Sequence, residues 1–167
     1  WREHLQHDGQ LTYLAIGDSA AQGVGATVPN RGYVGPLARR IRHRSRMTVR
    51  VVNLSVSGAT TWAAKKDQLP KLRQYTPDIC TVSIGANDIA DFDPDKFERN
   101  IRAIYGAVPS HAVVAELPCM FVPDRERKVA VANEIVHRVA AEFGLTVAPL
   151  HTITKRVGVR RTFFNSY

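Results

Sequence analysis

Cysteine is scarce in this sequence, in which Cys80 and Cys119 are the only two among 167 residues. Two cysteines are too few for a disulfide scaffold. Cys80 opens one predicted strand and Cys119 lies beyond the end of the next, which separates them by on the order of 15 Å at about 3.3 Å per residue. Because a disulfide requires Cα atoms within about 7 Å, we expect two free, mostly buried thiols, which indicate no particular compartment.

Long hydrophobic runs are absent as well, since no apolar segment approaches the roughly 20 residues that span a bilayer, and we expect no integral membrane segment. The composition, 44% hydrophobic and 23% charged, is typical of a globular protein and excludes a disordered or collagen-like chain. At this length we expect one domain over residues 1–167. The chain begins at Trp1 rather than at methionine, so a signal peptide or upstream anchor could have preceded it. An extracytoplasmic location, secreted or anchored upstream, is favoured over the cytoplasm.

Acidic residues are in the minority, with 15 Asp and Glu against 23 Lys and Arg and a net charge of +8. The densest basic stretch covers residues 39–46. Leu37 and Ile41 stand four residues apart, which predicts a helix whose arginines face water. No aromatic residue interleaves to stack on bases. A solvated helix is therefore favoured over a site for nucleic acid or anionic lipid, and we expect no nucleic-acid partner.

Five short apolar runs alternate with amphipathic segments, which is typical of an α/β fold with a parallel sheet. The runs are Leu11–Ile16, Val49–Leu54, Ile79–Ile84, Ala112–Ala115 and Leu145–Leu150. Strand, helix and strand, repeated with right-handed crossovers, give a three-layer α/β/α sandwich.

Three helices between these runs have recognisable signals. Asp93-Pro94 starts the first, with proline at the first helical position. The second covers Asp124–Phe143 and ends at Gly144 in a left-handed cap. The third, Thr60–Tyr75, contains Pro70, which should kink or split it. The predicted buried stripes are Phe97, Ile101 and Ile104 in the first helix and Val129, Ala132, Val136, Val139 and Phe143 in the second.

Three of the strands are followed directly by small polar segments that contain glycine. They are Gly17-Asp18-Ser19, Asn53-Leu54-Ser55-Val56-Ser57-Gly58 and Ile84-Gly85-Ala86-Asn87-Asp88. In an open α/β sheet ligands bind beyond the carboxyl ends of the strands, so we expect these segments to meet in one site. A serine exposed at such a strand end indicates a serine esterase.

The order and approximate spacing of these segments resemble those of the GDSL family, also called SGNH hydrolases, from Leu11 to about Leu150. The resemblance implies the SGNH hydrolase fold, a flavodoxin-like five-stranded parallel sheet with the first strand between the second and third. It also implies an esterase or lipase that acts on a small-molecule ester or lipid substrate, with no metal and no organic cofactor.

The resemblance assigns catalytic roles to three residues. Ser19 would be the nucleophile, which needs an adjacent base because an alcohol is a weak nucleophile at neutral pH. The backbone N–H groups of Ser19 and Gly58 and the side-chain amide of Asn87 would hold the oxyanion. Structural alternatives stay open: Ser19 as a helix N-cap, Gly58 as an ordinary turn glycine, and Asn87 as a turn residue.

The nearby acidic residues are interpreted as structural. The alternating aspartates from Asp91 onward resemble a calcium loop, but its glycine is absent and Arg102 stands in place of its closing glutamate. An acid-rich helix start is the simpler interpretation. Asp18 and Asp88 are expected to hold their loops through hydrogen bonds to backbone N–H groups.

The base is the missing component, because no Asp-x-x-His element lies between His151 and Tyr167, where the resemblance would supply it. His151 is at the correct edge but three strands from the central one, roughly 14 Å at about 4.8 Å per strand, whereas proton transfer requires about 3 Å. The other histidines lie upstream of the first strand, at the wrong edge or within helices: His4, His7, His43, His111 and His137. We therefore expect the catalytic aspartate and histidine beyond Tyr167, so that the chain as given could be inactive, or else a histidine from a neighbouring chain.

A substrate-binding surface is expected after the fourth strand, where Met120, Phe121 and Val122 would line an acyl pocket or, alternatively, cover the core. The motifs fix neither the acyl length nor the alcohol group of the substrate nor the oligomeric state. Two other functions stay open. One is a non-catalytic ligand-binding module, and the other is a nucleic-acid or anionic-surface binder that uses the basic helix.

Overall fold

The computed structural model describes residues 9–159. Within this range five strands form a parallel sheet in the order β2-β1-β3-β4-β5. The strands are β1 Leu11–Gly17, β2 Val49–Asn53, β3 Ile79–Ser83, β4 Val113–Ala115 and β5 Thr146–Ala148. The first strand lies between the second and the third, which confirms the flavodoxin-like order.

Helices on both faces of the sheet complete the three-layer α/β/α sandwich. They are α1 Ser19–Gln22, α2 Val34–Ser45, α3 Thr61–Ala63, α4 Leu69–Leu72, α5 Pro94–Tyr105, α6 Pro123–Glu142 and α7 Leu150–Val157. A π-helical segment, Ala64–Gln68, joins α3 to α4, and 3₁₀ turns cover Pro29–Arg31 and Ala86–Asp91.

Strand β1 is buried on both faces, which explains its near-continuous apolar sequence. Leu14 and Ile16 belong to the larger core, to which α5 and α6 contribute. Tyr13 and Ala15 belong to a smaller core on the opposite face, formed with residues of α2. The exposed side of α2 carries Arg39, Arg40, Arg42 and Arg44, as its helical spacing predicted.

The predicted break at Pro70 takes the form of the π-helical segment. Proline has no N–H, so Pro70 cannot donate to the carbonyl four residues earlier, and its ring crowds that carbonyl. The chain widens just before it, where the Leu69 N–H donates to the Ala64 carbonyl, five residues back. This segment ends at Gln68, whose buried side chain contacts β1.

The two longer predicted helices are confirmed, with one correction. Asp93 caps α5 by accepting a hydrogen bond from the Lys96 N–H at 3.0 Å, and both apolar stripes are buried. Phe143, however, is 40% exposed, because α6 ends at Glu142 and Phe143 follows it in a non-helical conformation. Gly144, at φ +66°, has the predicted left-handed conformation.

The last strand is shorter than predicted. It ends at Ala148, and Leu150 already begins α7. Pro149 lies between them, and a proline has no N–H with which to extend a ladder.

Both cysteines are free and buried, as predicted. Among residues 9–159, no helix has the length and apolar content needed to cross a membrane.

Candidate active site

The three glycine-containing segments lie together at the carboxyl edge of the sheet, where β1, β2 and β3 end. The segment after β2 continues alongside β1, since the Leu54 and Val56 N–H groups donate to the Ala15 and Gly17 carbonyls at 2.9 and 3.2 Å. The end of β1 also lies opposite that of β3, with Gly17 in register with Ser83. Strand β1, which lies between β2 and β3, therefore places the segment that carries Ser19 between the two other segments.

Ser19 is the first residue of α1, and its neighbour Asp18 is the N-cap. The Asp18 carboxylate accepts a hydrogen bond from the Ala20 N–H at 3.0 Å, so the alternative that Ser19 caps the helix is wrong. The Ser19 side chain is half-buried. Within residues 9–159 its hydroxyl forms no hydrogen bond, so it is available to a ligand.

Gln68 holds the backbone of Gly17, two residues before Ser19, and sequence reasoning missed it. Its Oε1 accepts from the Gly17 N–H at 3.0 Å, and its Nε2 donates to the Gly17 carbonyl at 2.8 Å. Gln68 is 1% exposed. A Cβ at Gly17 would lie 2.6 Å from the Ser83 carbonyl oxygen, so the close approach of β1 and β3 requires glycine here.

Polar side chains also join α1 to the segment after β2. Asn53 donates its amide to the Ala21 carbonyl at 2.7 Å. The same side chain accepts from the Ser55 N–H at 3.1 Å, and Gln22 donates to the Ser55 carbonyl. These contacts fix the turn that carries Ser19 against the neighbouring loop.

Gly58 occupies a left-handed conformation, φ +77°, in the exposed loop after β2. Its N–H donates to no other group among the described residues, and the same is true of the Ser19 N–H. Two backbone donors in the segments at the carboxyl edge are thus without a partner among the described residues.

Asn87 lies in the 3₁₀ turn after β3 and is linked to the loop that carries Gly58. Its Nδ2 donates to the Ala59 carbonyl at 2.9 Å. One amide hydrogen is used in this bond, and the second can be donated elsewhere. The bond brings the Asn87 amide next to the Ala59–Thr60 peptide, one residue beyond Gly58.

Asp88 binds the same neighbouring loop through Thr61. Its carboxylate accepts from the Thr61 N–H at 2.9 Å and from the Thr61 hydroxyl at 2.6 Å, and Asn100 donates to that hydroxyl at 3.3 Å. Burial raises the pKa of Asp88 above its usual range, and the Thr61 hydrogen bonds act in the opposite direction. Burial likewise raises the pKa of Asp18, which the nearby Asp88 carboxylate raises further. Both aspartates hold loops, as predicted.

The four histidines within residues 9–159 lie away from Ser19. His43 lies near the end of α2, and His111 lies at the opposite edge, where its ring contacts the Pro77 carbonyl. His137 pairs with Glu116 and His151 pairs with Glu126, on the side of the sheet formed by β4 and β5. His4 and His7, and the predicted element beyond Tyr167, lie outside the described residues.

The segment after β4 has the mixed character that its sequence suggested. Met120 packs against the larger core, while Val122 is 44% exposed. Phe121 is half-buried and has a positive φ of 59°. Further apolar side chains are exposed after β1 and β2, at Val24 and Trp62.

A parallel α/β/α sandwich with a serine in the turn after β1 and glycine-containing segments after β2 and β3 is the arrangement expected of the SGNH class of hydrolases. The chain belongs to the GDSL-like Lipase/Acylhydrolase family, whose model matches residues 15–162. Membership of this acylhydrolase family makes it a carboxylic ester hydrolase, and the resemblance found in the sequence is confirmed.

Solved structures share this fold at low sequence identity. TesA is 24% identical, with a TM-score of 0.73, over 89% of this chain and 83% of its own. AlinE4, an SGNH-hydrolase family esterase, is 18% identical, with a TM-score of 0.76, over 96% and 85%. Axe2, an acetylxylan esterase from Geobacillus stearothermophilus, is 19% identical, with a TM-score of 0.72, over 89% and 80%. No curated protein matches the chain.

Proposed function

We propose that the protein is a serine esterase that hydrolyses carboxylic esters through an acyl-enzyme on Ser19. The observation that supports the proposal is that the three segments carrying Ser19, Gly58 and Asn87 lie side by side at the carboxyl edge of the sheet. The Ser19 hydroxyl and N–H and the Gly58 N–H have no partner among the described residues. The Asn87 amide is tied by its bond to Ala59 to the loop that carries Gly58.

The arrangement supports acyl transfer in two steps. Ser19 Oγ attacks the ester carbonyl carbon and transfers its proton to a base, while the carbonyl oxygen becomes an oxyanion held by the three donors. The tetrahedral intermediate then collapses, the alcohol leaves with the proton, and an acyl-enzyme remains. Water, activated by the same base, hydrolyses it and restores Ser19. Because the four described histidines lie elsewhere, the base in this proposal is a histidine outside residues 9–159.

Three further residues position this machinery without contacting the substrate. Gln68 fixes the last residue of β1, and Asp18 fixes the turn that follows it. Asp88 ties the segment after β3 to that after β2 through Thr61. Donors held in this way need no reorganisation as the oxyanion forms, which is the condition for strong electrostatic stabilisation.

The acyl group of the ester is assigned to the surface formed by Met120, Phe121 and Val122. These side chains follow β4 at the same edge of the sheet. Met120 packs against the larger core, whereas Val122 is exposed. An unchanged preference among acetate, butyrate and octanoate esters in a Phe121→Ala variant would contradict this assignment.

The first experiment compares hydrolysis of p-nitrophenyl acetate and butyrate by the purified protein and two serine variants. Ser19→Ala should remove turnover, because Ser19 is the proposed nucleophile and alanine has no hydroxyl to attack the ester. Ser57→Ala is the matched control, since Ser57 is an exposed serine at the same edge, and it should retain turnover.

Two outcomes would contradict the proposal. Loss of turnover in Ser57→Ala but not in Ser19→Ala would indicate that the nucleophile is Ser57, in the loop after β2. Equal, background hydrolysis by Ser19→Ala and by an unmodified protein that carries its catalytic histidine would contradict the catalytic role of Ser19 and favour a ligand-binding module.

A further inference from the structure

A second group of reactive side chains lies beyond β4 and β5, on the far side of the same sheet edge from Ser19. It consists of Cys119 in the loop after β4, Glu126 in the first turns of α6 and His151 in the first turn of α7. One ligand atom from each of the three side chains lies within 4.8 Å of the other two. The proposed esterase mechanism uses none of them.

The three side chains are held in place from several directions. His151 Nε2 lies 2.9 Å from a Glu126 carboxylate oxygen, and the other oxygen accepts from the Met120 N–H. The backbone of His151 is fixed by Glu116, which accepts its N–H at 3.0 Å. The backbone of Cys119 is fixed by Thr154 Oγ1, which accepts its N–H at 2.9 Å. Such backbone anchors keep the ligand atoms close without a bound ion.

We propose that Cys119, Glu126 and His151 bind one zinc ion. A thiolate sulfur, an imidazole nitrogen and a carboxylate oxygen are the three kinds of ligand that Zn²⁺ takes in proteins, at about 2.3, 2.0 and 2.0–2.2 Å. A thiolate disfavours Mg²⁺ and Ca²⁺, which prefer oxygen ligands. With three protein ligands, the fourth tetrahedral position is left for water.

The spacing of the cluster is close to that of a zinc site. Ligands at these bond lengths around a tetrahedral ion lie roughly 3.3–3.8 Å apart. To bind zinc, the distance between His151 Nε2 and the Glu126 oxygen must widen by about 0.5 Å. The distances from Cys119 Sγ to these two atoms must shorten by about 1 Å at most. Small side-chain rotations achieve both. As zinc binds, the thiol proton leaves to solvent, and His151 coordinates through an unprotonated Nε2 with its single ring proton on Nδ1.

A hydrogen-bonded network alone is the competing explanation, and the protein contains a useful reference for it. His137 and Glu116 form a similar histidine–carboxylate pair at 2.7 Å, but no cysteine joins it, and the His137 side chain is 54% exposed. In the zinc cluster Cys119 is 3% exposed. A buried thiol beside the histidine–carboxylate pair therefore distinguishes the Cys119 cluster from the exposed reference pair.

The consequence of zinc binding would be structural. The ion would join the loop after β4 to the starts of α6 and α7, three segments that are distant in sequence. That loop carries Met120, Phe121 and Val122. We therefore expect bound zinc to raise the melting temperature while leaving Ser19 uncoordinated.

The test uses Co²⁺ as a spectroscopic probe and Zn²⁺ for affinity, both with the reduced, metal-free protein. One equivalent of Co²⁺ should give a thiolate-to-cobalt charge-transfer band in the near ultraviolet, and Zn²⁺ should abolish it. Cys119→Ala should lose the band. Because substituting even an outer partner of a metal ligand weakens binding about 10–100-fold, Cys119→Ala and His151→Gln should each weaken zinc binding by about 100-fold or more.

Matched controls separate the cluster from the other thiol and the other histidine–carboxylate pair. Cys80→Ala removes the second buried cysteine, on β3, and His137→Gln removes the reference pair; both should retain the band and the affinity. Glu126→Gln keeps the shape of the side chain and should weaken binding, and circular dichroism of each metal-free variant verifies folding. A band that persists in Cys119→Ala, or zinc affinity that is equal in Cys119→Ala and Cys80→Ala, would overturn the proposal.

Discussion

Asn87 illustrates how one side chain connects structure to catalysis at the scale of the residue. One of its amide hydrogens ties the turn after β3 to Ala59. In the proposed mechanism the other is donated to the oxyanion, where charge develops only in the transition state. A loss of this donor should therefore affect rate more than substrate binding.

For Asn87→Ala we expect kcat to fall about 10²–10³-fold, or about 3–4 kcal/mol of transition-state stabilisation. The matched control is Asn133→Ala, because Asn133 also ties a loop through its amide, to Leu117, but beyond β4. Steady-state kinetics with p-nitrophenyl acetate should show the large loss only in Asn87→Ala. Similar rates for the two variants would argue that Asn87 is structural.

The residues that sequence reasoning found and missed differ in the range of their contacts. Ser19, Gly58 and Asn87 belong to motifs next to strand ends, so local pattern and resemblance were enough to predict that their segments share one edge of the sheet, while their catalytic roles stay a prediction. Gln68 contacts Gly17, which lies 51 positions away in sequence. A glutamine on the apolar side of a helix was the available signal, but its partner depends on the π-helical segment, which no local rule specifies.

At the scale of the element, charged side chains connect α5 to α6. Arg138 donates two hydrogen bonds of 2.8 Å to Glu98, and Arg102 contacts both Glu98 and Glu142. The hydrogen bonds from Arg138 and then Arg102 lower the pKa of Glu98 to about 2. The stability of the packing between α5 and α6 is therefore expected to depend on pH.

The pKa of Glu98 is lower in the folded than in the unfolded chain, where it has its ordinary value of 4.5. Ionised Glu98 therefore stabilises the fold fully when the pH is above 4.5. That contribution is lost as the pH falls from 4.5 towards 2. We expect Glu98→Gln to lower the melting temperature at pH 7 and the difference to shrink over this range. Glu134→Gln, which removes an exposed glutamate from α6, is the control. A difference between Glu98→Gln and the unmodified protein that is constant with pH would contradict the assignment.

The elements themselves were largely predictable, because hydrophobic periodicity is a local property. The starts of β1, β2 and β3 and the start of α5 at Pro94 agree with the sequence. The ends were less predictable: β5 stops before Pro149, and Phe143 leaves the buried stripe where α6 terminates. Both differences arise where a helix or strand ends and tertiary packing, rather than periodicity, sets the last residue.

At the scale of the whole molecule, the dominant feature is a net charge of +8. Its densest part is the exposed face of α2, whereas Ser19 lies at the carboxyl edge of the sheet. A positive field of this size raises the local concentration of anionic ligands, and salt screens it within about 10 Å at 0.1 M. Its effect on the proposed reaction should depend on the charge of the ester.

We expect kcat/KM for an ester with an anionic acyl group to fall several-fold between about 20 and 200 mM salt, because the Debye length shortens over that range. A neutral ester of the same length should show little change. The double variant Arg40→Gln/Arg44→Gln removes two charges from α2, and Arg99→Gln/Arg125→Gln removes two exposed charges from α5 and α6. If the field belongs to the whole molecule, both double variants should reduce the salt dependence equally. A reduction confined to the α2 variant would instead indicate a local anion-binding surface and contradict this prediction.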